Sequence, residues 1–196
     1  MSNDKYHIQQ YSRLLISALL LLGSSLQASE LSNHFDALTP FASAQFRQER
    51  HVEALMRPLI SSGSIELSDS GFIWKQSHPF HVWLTYDGVS IVEKTVVGQQ
   101  ETLRRLLDPV TSNFTRTMFQ VMKGSLADLQ SAFLIKSATR ESQSKWSYEL
   151  EPRNAAVKKA INRIVLDGDV YLNRIRIEES PGNYTQIELT NQRPSR

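Results

Sequence analysis

Residues 80–94 read Phe80-His81-Val82-Trp83-Leu84-Thr85-Tyr86-Asp87-Gly88-Val89-Ser90-Ile91-Val92-Glu93-Lys94. Phe80–Tyr86 is an aromatic, β-favouring run, and Val89–Lys94 is a second β-favouring run. Asp87-Gly88 between them is the strongest short-range signal of a hairpin, because the pair readily adopts the positive φ a tight turn needs. Upstream, Gly71–Gln76 contributes Phe72 and Trp74, and Leu59–Leu67 places Leu59, Gly63, Ile65 and Leu67 on one side. Further back, Ala44, Phe46, Gln48 and Arg50 alternate with Gln45, Arg47, Glu49 and His51, a long strand with polar residues on both faces.

Downstream the period changes. Between Leu103 and Leu129 the spacing predicts helix: Phe114, Met118, Val121 and Met122 share a face, and Leu126 and Leu129 follow Gly124. Strands resume at Phe133–Thr139 and Trp146–Leu150. Ile161–Leu166 and Tyr171–Ile177 flank the turn Asp167-Gly168-Asp169, and Pro181-Gly182-Asn183 leads into Tyr184–Thr190. About nine to eleven strands with hairpin turns specify an antiparallel sheet that curls into a barrel or half-barrel. With no repeat and no linker, residues 29–196 read as one domain. An early helix is expected over Ser29–Leu38, stopped by Pro40.

The first residues carry an address. Lys5 and Arg13 precede Leu14-Leu15-Ile16-Ser17-Ala18-Leu19-Leu20-Leu21-Leu22, and Gly23-Ser24-Ser25-Leu26-Gln27-Ala28 follows. A basic segment, a short greasy segment and a small-residue exit make residues 1–28 a secretory signal peptide. The greasy part falls far short of the ~20 residues that span a bilayer. There is no Cys to carry a lipid anchor or a disulfide, so the exported protein is expected to be soluble and to rely on its core.

The 196 residues carry 40% hydrophobic and 21% charged residues, which specifies a globular chain, and a net charge of +2 argues against a nucleic-acid partner. No catalytic constellation is visible. His78 and His81 flank Pro79-Phe80 without a third metal ligand at recognisable spacing. Ser62-Gly63-Ser64 is not a nucleophile elbow; Gly63 there is expected to relieve crowding against a helix or to bend the sheet. Asn113-Phe114-Thr115 and Asn183-Tyr184-Thr185 match a glycosylation pattern that arises often by chance. Neither a cofactor nor a metal is expected. Phe72, Trp74, Phe80, Val82, Leu84 and Tyr86 alternate with Ile73, His81 and Trp83, so both strand faces carry large apolar groups. Spacing alone does not separate a filled core from a cavity.

An ordered set of residues adds a resemblance. Phe46-Arg47-Gln48, Leu55, Pro58-Leu59, Ser62-Gly63-Ser64-Ile65, Trp74, Pro79 and Asp87-Gly88 are followed by Leu126, Phe133 and Trp146-Ser147-Tyr148-Glu149-Leu150-Glu151-Pro152. Ile164, Ile175, Ile177 and Tyr184-Thr185-Gln186-Ile187 complete it. Over roughly residues 30–190 the chain resembles the outer-membrane lipoprotein carrier LolA family. That resemblance implies an incomplete antiparallel β-barrel covered by lid helices, and a non-catalytic periplasmic chaperone in outer-membrane biogenesis. The implied cargo is an acylated lipoprotein or another acylated lipid, passed from an inner-membrane donor to an outer-membrane acceptor by a monomer. Candidate cavity residues are Phe46, Ile65, Phe72, Trp74, Trp83, Phe114, Met118, Met122 and Trp146. The sequence departs from the family pattern in two places. Ser68-Asp69-Ser70-Gly71 stands where a basic residue and Pro are usual, and Val89-Ser90-Ile91-Val92-Glu93 replaces an aromatic segment. These departures suggest a divergent relative serving a dedicated pathway. Two rivals remain on residues alone: a sensor or assembly factor docking a protein partner with the same half-barrel, and an enzyme with catalytic groups dispersed along the chain.

Overall fold

A computed structural model describes residues 40–107, 109–140, 145–179 and 182–194. The expected signal peptide and the expected helix over 29–38 lie outside these residues. The first strands are β1 (Phe41–His51), β2 (Leu59–Leu67), β3 (Phe72–His78), β4 (His81–Tyr86), β5 (Ile91–Val97) and β6 (Gln100–Arg105). Helices α1 (Pro109–Met122) and α2 (Leu126–Ala132) follow, then β7 (Phe133–Arg140) and β8 (Trp146–Pro152). A short α3 (Ala155–Lys158) precedes β9 (Ile161–Gly168), β10 (Leu172–Glu179) and β11 (Tyr184–Pro194).

All eleven strands form one antiparallel sheet in the order β6-β5-β4-β3-β2-β1-β11-β10-β9-β8-β7. Two meanders are joined by the pairing of β1 with β11, and among the described residues β6 and β7 are the edges. The sheet must curl. Flat, its edges would stand about 48 Å apart at ~4.8 Å per strand, yet α1 and α2 together rise only about 32 Å. Even so, α1 touches β3 and β4 while α2 packs on β7. The architecture is an incomplete barrel with helices over its open side, as the sequence and the resemblance led one to expect.

Cross-strand partners share a face, so the registers sort the side chains. Phe72 pairs with Tyr86, and Tyr86 with Ile91. Ile65 pairs with Trp74, and Trp74 with Leu84. In the other half Ile187, Ile175, Leu166 and Tyr148 form one row, and Thr185, Ile177, Ile164 and Leu150 the next. Most of these are buried: Ile65, Leu150, Ile164 and Leu166 are all at 0% exposure. This is the concave face. The convex face carries ion pairs: Arg163 binds Glu178 at 2.8 Å and Glu149 at 3.3 Å, and Arg174 binds Asp167 at 2.8 Å. Hydrogen bonds from Arg163, then Arg176, hold the Glu178 carboxyl below the usual carboxylate range, while burial acts the other way.

Two elements differ from expectation. Strand β6, Gln100–Arg105, takes in Leu103, where a helix was expected to begin; every side chain in it is exposed. The helix starts instead at Pro109, whose fixed φ suits a first helical position. At Gly63 the crowding comes from the neighbouring strand. A Cβ there would fall 1.9 Å from the Lys75 carbonyl oxygen, beside a register shift between Ser62 and Gly63. The β4–β5 turn is built as its sequence demands: Asp87 Oδ1 accepts from the Val89 and Ser90 N–H at 2.9 and 2.7 Å, with Gly88 at φ 93°.

Gly63→Ala is therefore expected to lower stability by about 1–3 kcal/mol, read as a lower urea midpoint. The Ser90 and Val89 hydrogen bonds lower the Asp87 pKa from 3.8 to about 2. A lowered carboxyl stabilises the fold above its ordinary pKa and loses that effect as pH falls through the folded value. Asp87→Ala should accordingly be less stable than the parent at pH 7, with the difference shrinking between pH 4 and pH 2.

Candidate functional site

The helices cross the concave face because the chain must travel from the β6 edge to the β7 edge. Gly124, at φ 77°, ends α1, and Ser125 caps α2 by accepting from the Asp128 N–H at 3.4 Å. The pair therefore folds over the sheet as a jointed cover. Its underside is apolar: Met118, Phe119, Val121, Met122 and Leu129 are between 0% and 8% exposed.

Phe119 is the main contact on the first half of the sheet. Its ring lies 6.1 Å from Phe72 and meets Tyr86 edge-on at 5.6 Å. Polar contacts flank it. Arg116 Nε donates to the Tyr86 hydroxyl at 3.3 Å, and Lys123 Nζ reaches the Ser68 carbonyl at 3.4 Å and the Asp69 carboxylate at 3.5 Å. The β2–β3 turn, which carries a base in the family pattern, thus bears an acid here, and the base comes from the cover. Asp69 is fully exposed, so solvent screens this pair and it contributes little. Apolar burial, not the ion pair, keeps the cover down.

Of the expected cavity residues, Phe46, Ile65, Phe72, Trp74, Met118, Met122 and Trp146 lie on the concave face or on the underside of α1. Phe46 and Trp74 stand with ring centroids 4.1 Å apart. Trp146 seats on Gly168 at one end of the sheet, where a Cβ would fall 2.3 Å from its ring, and its Nε1 donates to the Asp169 carbonyl at 2.7 Å. Phe114 lies in α1, outside the residues whose side chains are described. Trp83 is a correction. It shares the convex row of Lys75, Lys94 and Leu103, is 40% exposed, and stacks under Lys94 Nζ at 4.8 Å. Sequence reasoning also missed Phe119 and Tyr86. Phe119 was within reach, since a helical stripe holding Met118 and Met122 includes the position between them.

Towards the β6 edge the apolar lining thins: β5 still contributes the buried Ile91, beside Tyr86, but the row of Trp74 and Leu84 turns polar. On β5 and β6 the same row continues as Glu93 and Arg104, paired at 3.0 Å. At the other edge, α1, α2, α3, β7 and β8 enclose a cleft of about 400 Å³. His78 and His81 are exposed, and among the described residues no group of three His, Cys, Asp or Glu is placed to hold a metal. No described helix is long and apolar enough to cross a membrane.

The family model described as outer membrane lipoprotein carrier protein LolA matches residues 39–196. The chain belongs to the LolA family. The family's members are periplasmic, non-catalytic carriers of lipoproteins. No curated protein matches the chain. Among solved structures it is similar to a LolA superfamily protein from Nitrosomonas europaea, at 10% identity and TM-score 0.46, covering 86% of this chain and 94% of that one. It is also similar to a DUF1329 family protein from Desulfovibrio piger, at 10% identity and TM-score 0.48, covering 85% and 91%.

Truncating Phe119 tests how the cover is held. Phe119→Ala should cost about 3 kcal/mol, most of it in α1 docking. Limited proteolysis within residues 106–125 should then accelerate about 100-fold before the sheet unfolds.

Proposed function

We propose that this LolA-family chain is an exported periplasmic carrier that shelters acyl chains of a lipoprotein or another acylated lipid between its concave sheet and the cover of α1 and α2. The signal peptide is residues 1–28, and residues 29–196 are the carrier domain. The donor would stand at the inner membrane and the acceptor at the outer membrane. The chain works as a monomer without a cofactor.

One observation carries this reading: the concave face is apolar from β4 round to β7, and what covers it is a separate pair of helices tethered at both ends. Ligand and cover compete for one surface. In the described state the underside of α1 is buried against the concave face, so an acyl chain that takes that surface displaces it. The exchange is close to balanced. Undocking exposes the underside of α1, while each methylene that takes its place gains up to ~0.8 kcal/mol. Met118 and Met122 suit the competition, because unbranched thioethers repack against varied partners at little cost. A balanced exchange is what a carrier needs, since cargo held by the full transfer energy of a long chain would not be released.

Met118→Glu combined with Met122→Glu is expected to weaken binding of a fluorescent fatty acid at least 100-fold while far-UV circular dichroism keeps its strand signal. Met118→Leu with Met122→Leu, which preserves apolar volume, should bind like the parent. Undiminished binding by the double Glu variant would overturn the placement of the acyl site.

A further inference from the structure

The cleft at the β7 edge has an uneven lining. Its floor is apolar: Ala132, Phe133, Pro152 and Val157, of which the last three are buried. Its sides carry Arg116 and Arg153, with no carboxylate among the lining residues. Most cations elsewhere on this sheet face a carboxylate across the ladder. These two do not.

Arg153 is fixed in place. Its Nε donates to the Gln130 carbonyl at 2.9 Å and the Phe133 carbonyl at 3.1 Å, satisfying acceptors at the end of α2. That leaves both terminal amino groups without a partner among the described residues. Arg116 is held the same way, by Nε on the Tyr86 hydroxyl, with no partner for its terminal groups among the described residues. Two guanidiniums anchored through Nε present their forked ends unused, and that fork matches a carboxylate or phosphate. Asn154 is oriented by accepting from the Ala156 N–H at 2.8 Å and the Val157 N–H at 3.3 Å, so its amide N–H groups are also available.

We propose that this cleft seats the polar head of the cargo and that the head is an oxyanion, a carboxylate or phosphate at the end of an acyl chain. The tail runs over Phe133, Pro152 and Val157 to the surface beneath the cover. This deepens the carrier reading and rests on it. It also narrows the cargo, because a neutral head gains only ordinary hydrogen bonds from the two guanidiniums, whereas an oxyanion gains charge-assisted, bidentate ones. Arg116 couples the two functions. It lies on α1 and touches Tyr86, so an anion that draws Arg116 toward the cleft competes with one of the contacts that hold the cover down.

The test compares cis-parinaric acid with its methyl ester on the full-length chain, followed by fluorescence. The acid is expected to bind about ten-fold tighter than the ester or more, with the ratio shrinking as salt rises. Arg116→Gln with Arg153→Gln should bring the acid to the affinity of the ester, with the acid-to-ester ratio as the readout, because loosening the cover acts on both probes alike. Arg116→Gln alone, on an exposed side chain that caps no helix, should lower the ratio part-way and guards against misfolding from loss of Arg153. Hexadecyl phosphate and palmitate as competitors distinguish a phosphate from a carboxylate head. Equal affinity for acid and ester would overturn the anionic head while leaving the carrier reading intact. Binding of neither probe would remove both.

Discussion

One topological constraint organises this molecule. The pairing of β1 with β11 makes the first and last strands central in the sheet and sends β6 and β7 to opposite edges. Residues 106–132 must then bridge those edges, and the shortest course lies across the concave side. A helical bridge is too short for a flat sheet, so the sheet curls until its edges come within reach. Curvature, the unclosed seam and the presence of a cover are thus one fact seen three ways. None requires a separate explanation.

The same constraint sets the energetics. Because the cover is tied at both ends, it can leave the concave face without leaving the molecule, and its return carries little entropic penalty beyond closing one short loop. What holds it is mostly the Phe119 contact with Phe72 and Tyr86. The Lys123 contacts are solvent-exposed and orient more than they stabilise, and the part-buried Arg116 hydrogen bond to Tyr86 adds to the Phe119 contact. Soft apolar packing suits the proposed exchange of the cover for an acyl chain on one surface. A close-set network of buried hydrogen bonds would have committed the surface to one occupant.

Much of this was legible in the residues. The spans of β1 and β2 follow from period-two alternation, and Asp87-Gly88 marks the β4–β5 turn that forms. The break between α1 and α2 is written in Gly124-Ser125. Strand β6 was not legible, because Gln100–Arg105 is an edge strand exposed on both faces, where burial imposes no alternation. Trp83 was misplaced for the opposite reason. With bulky groups on both faces of residues 72–86, the pattern does not say which face is inside; the pairing of Trp74 with Ile65 decides it. The β7 cleft escaped entirely. Arg116 and Arg153 lie on different elements and meet only because α2 and β7 fold between them, a relation that local periodicity does not encode.

The open seam has a cost that the sequence manages. Two free edges are templates for pairing with other chains, and a fully closed barrel would have removed them. At β6 the defence is polarity: Glu101, Arg104 and Arg105 make the edge charged, and Arg104 is tied back to Glu93 at 3.0 Å. At β7 the defence is cover, since α2 leads directly into the strand and packs on it. Pairing β6 with β7 would instead have turned the helices into a plug and left only the narrow ends for a ligand. An aggregation-resistant seam that stays open lengthwise lets a long flexible chain slide in from the side. The apolar lining ends where the charged β6 flank begins, so the greasy surface borders water only where the helices can shield it.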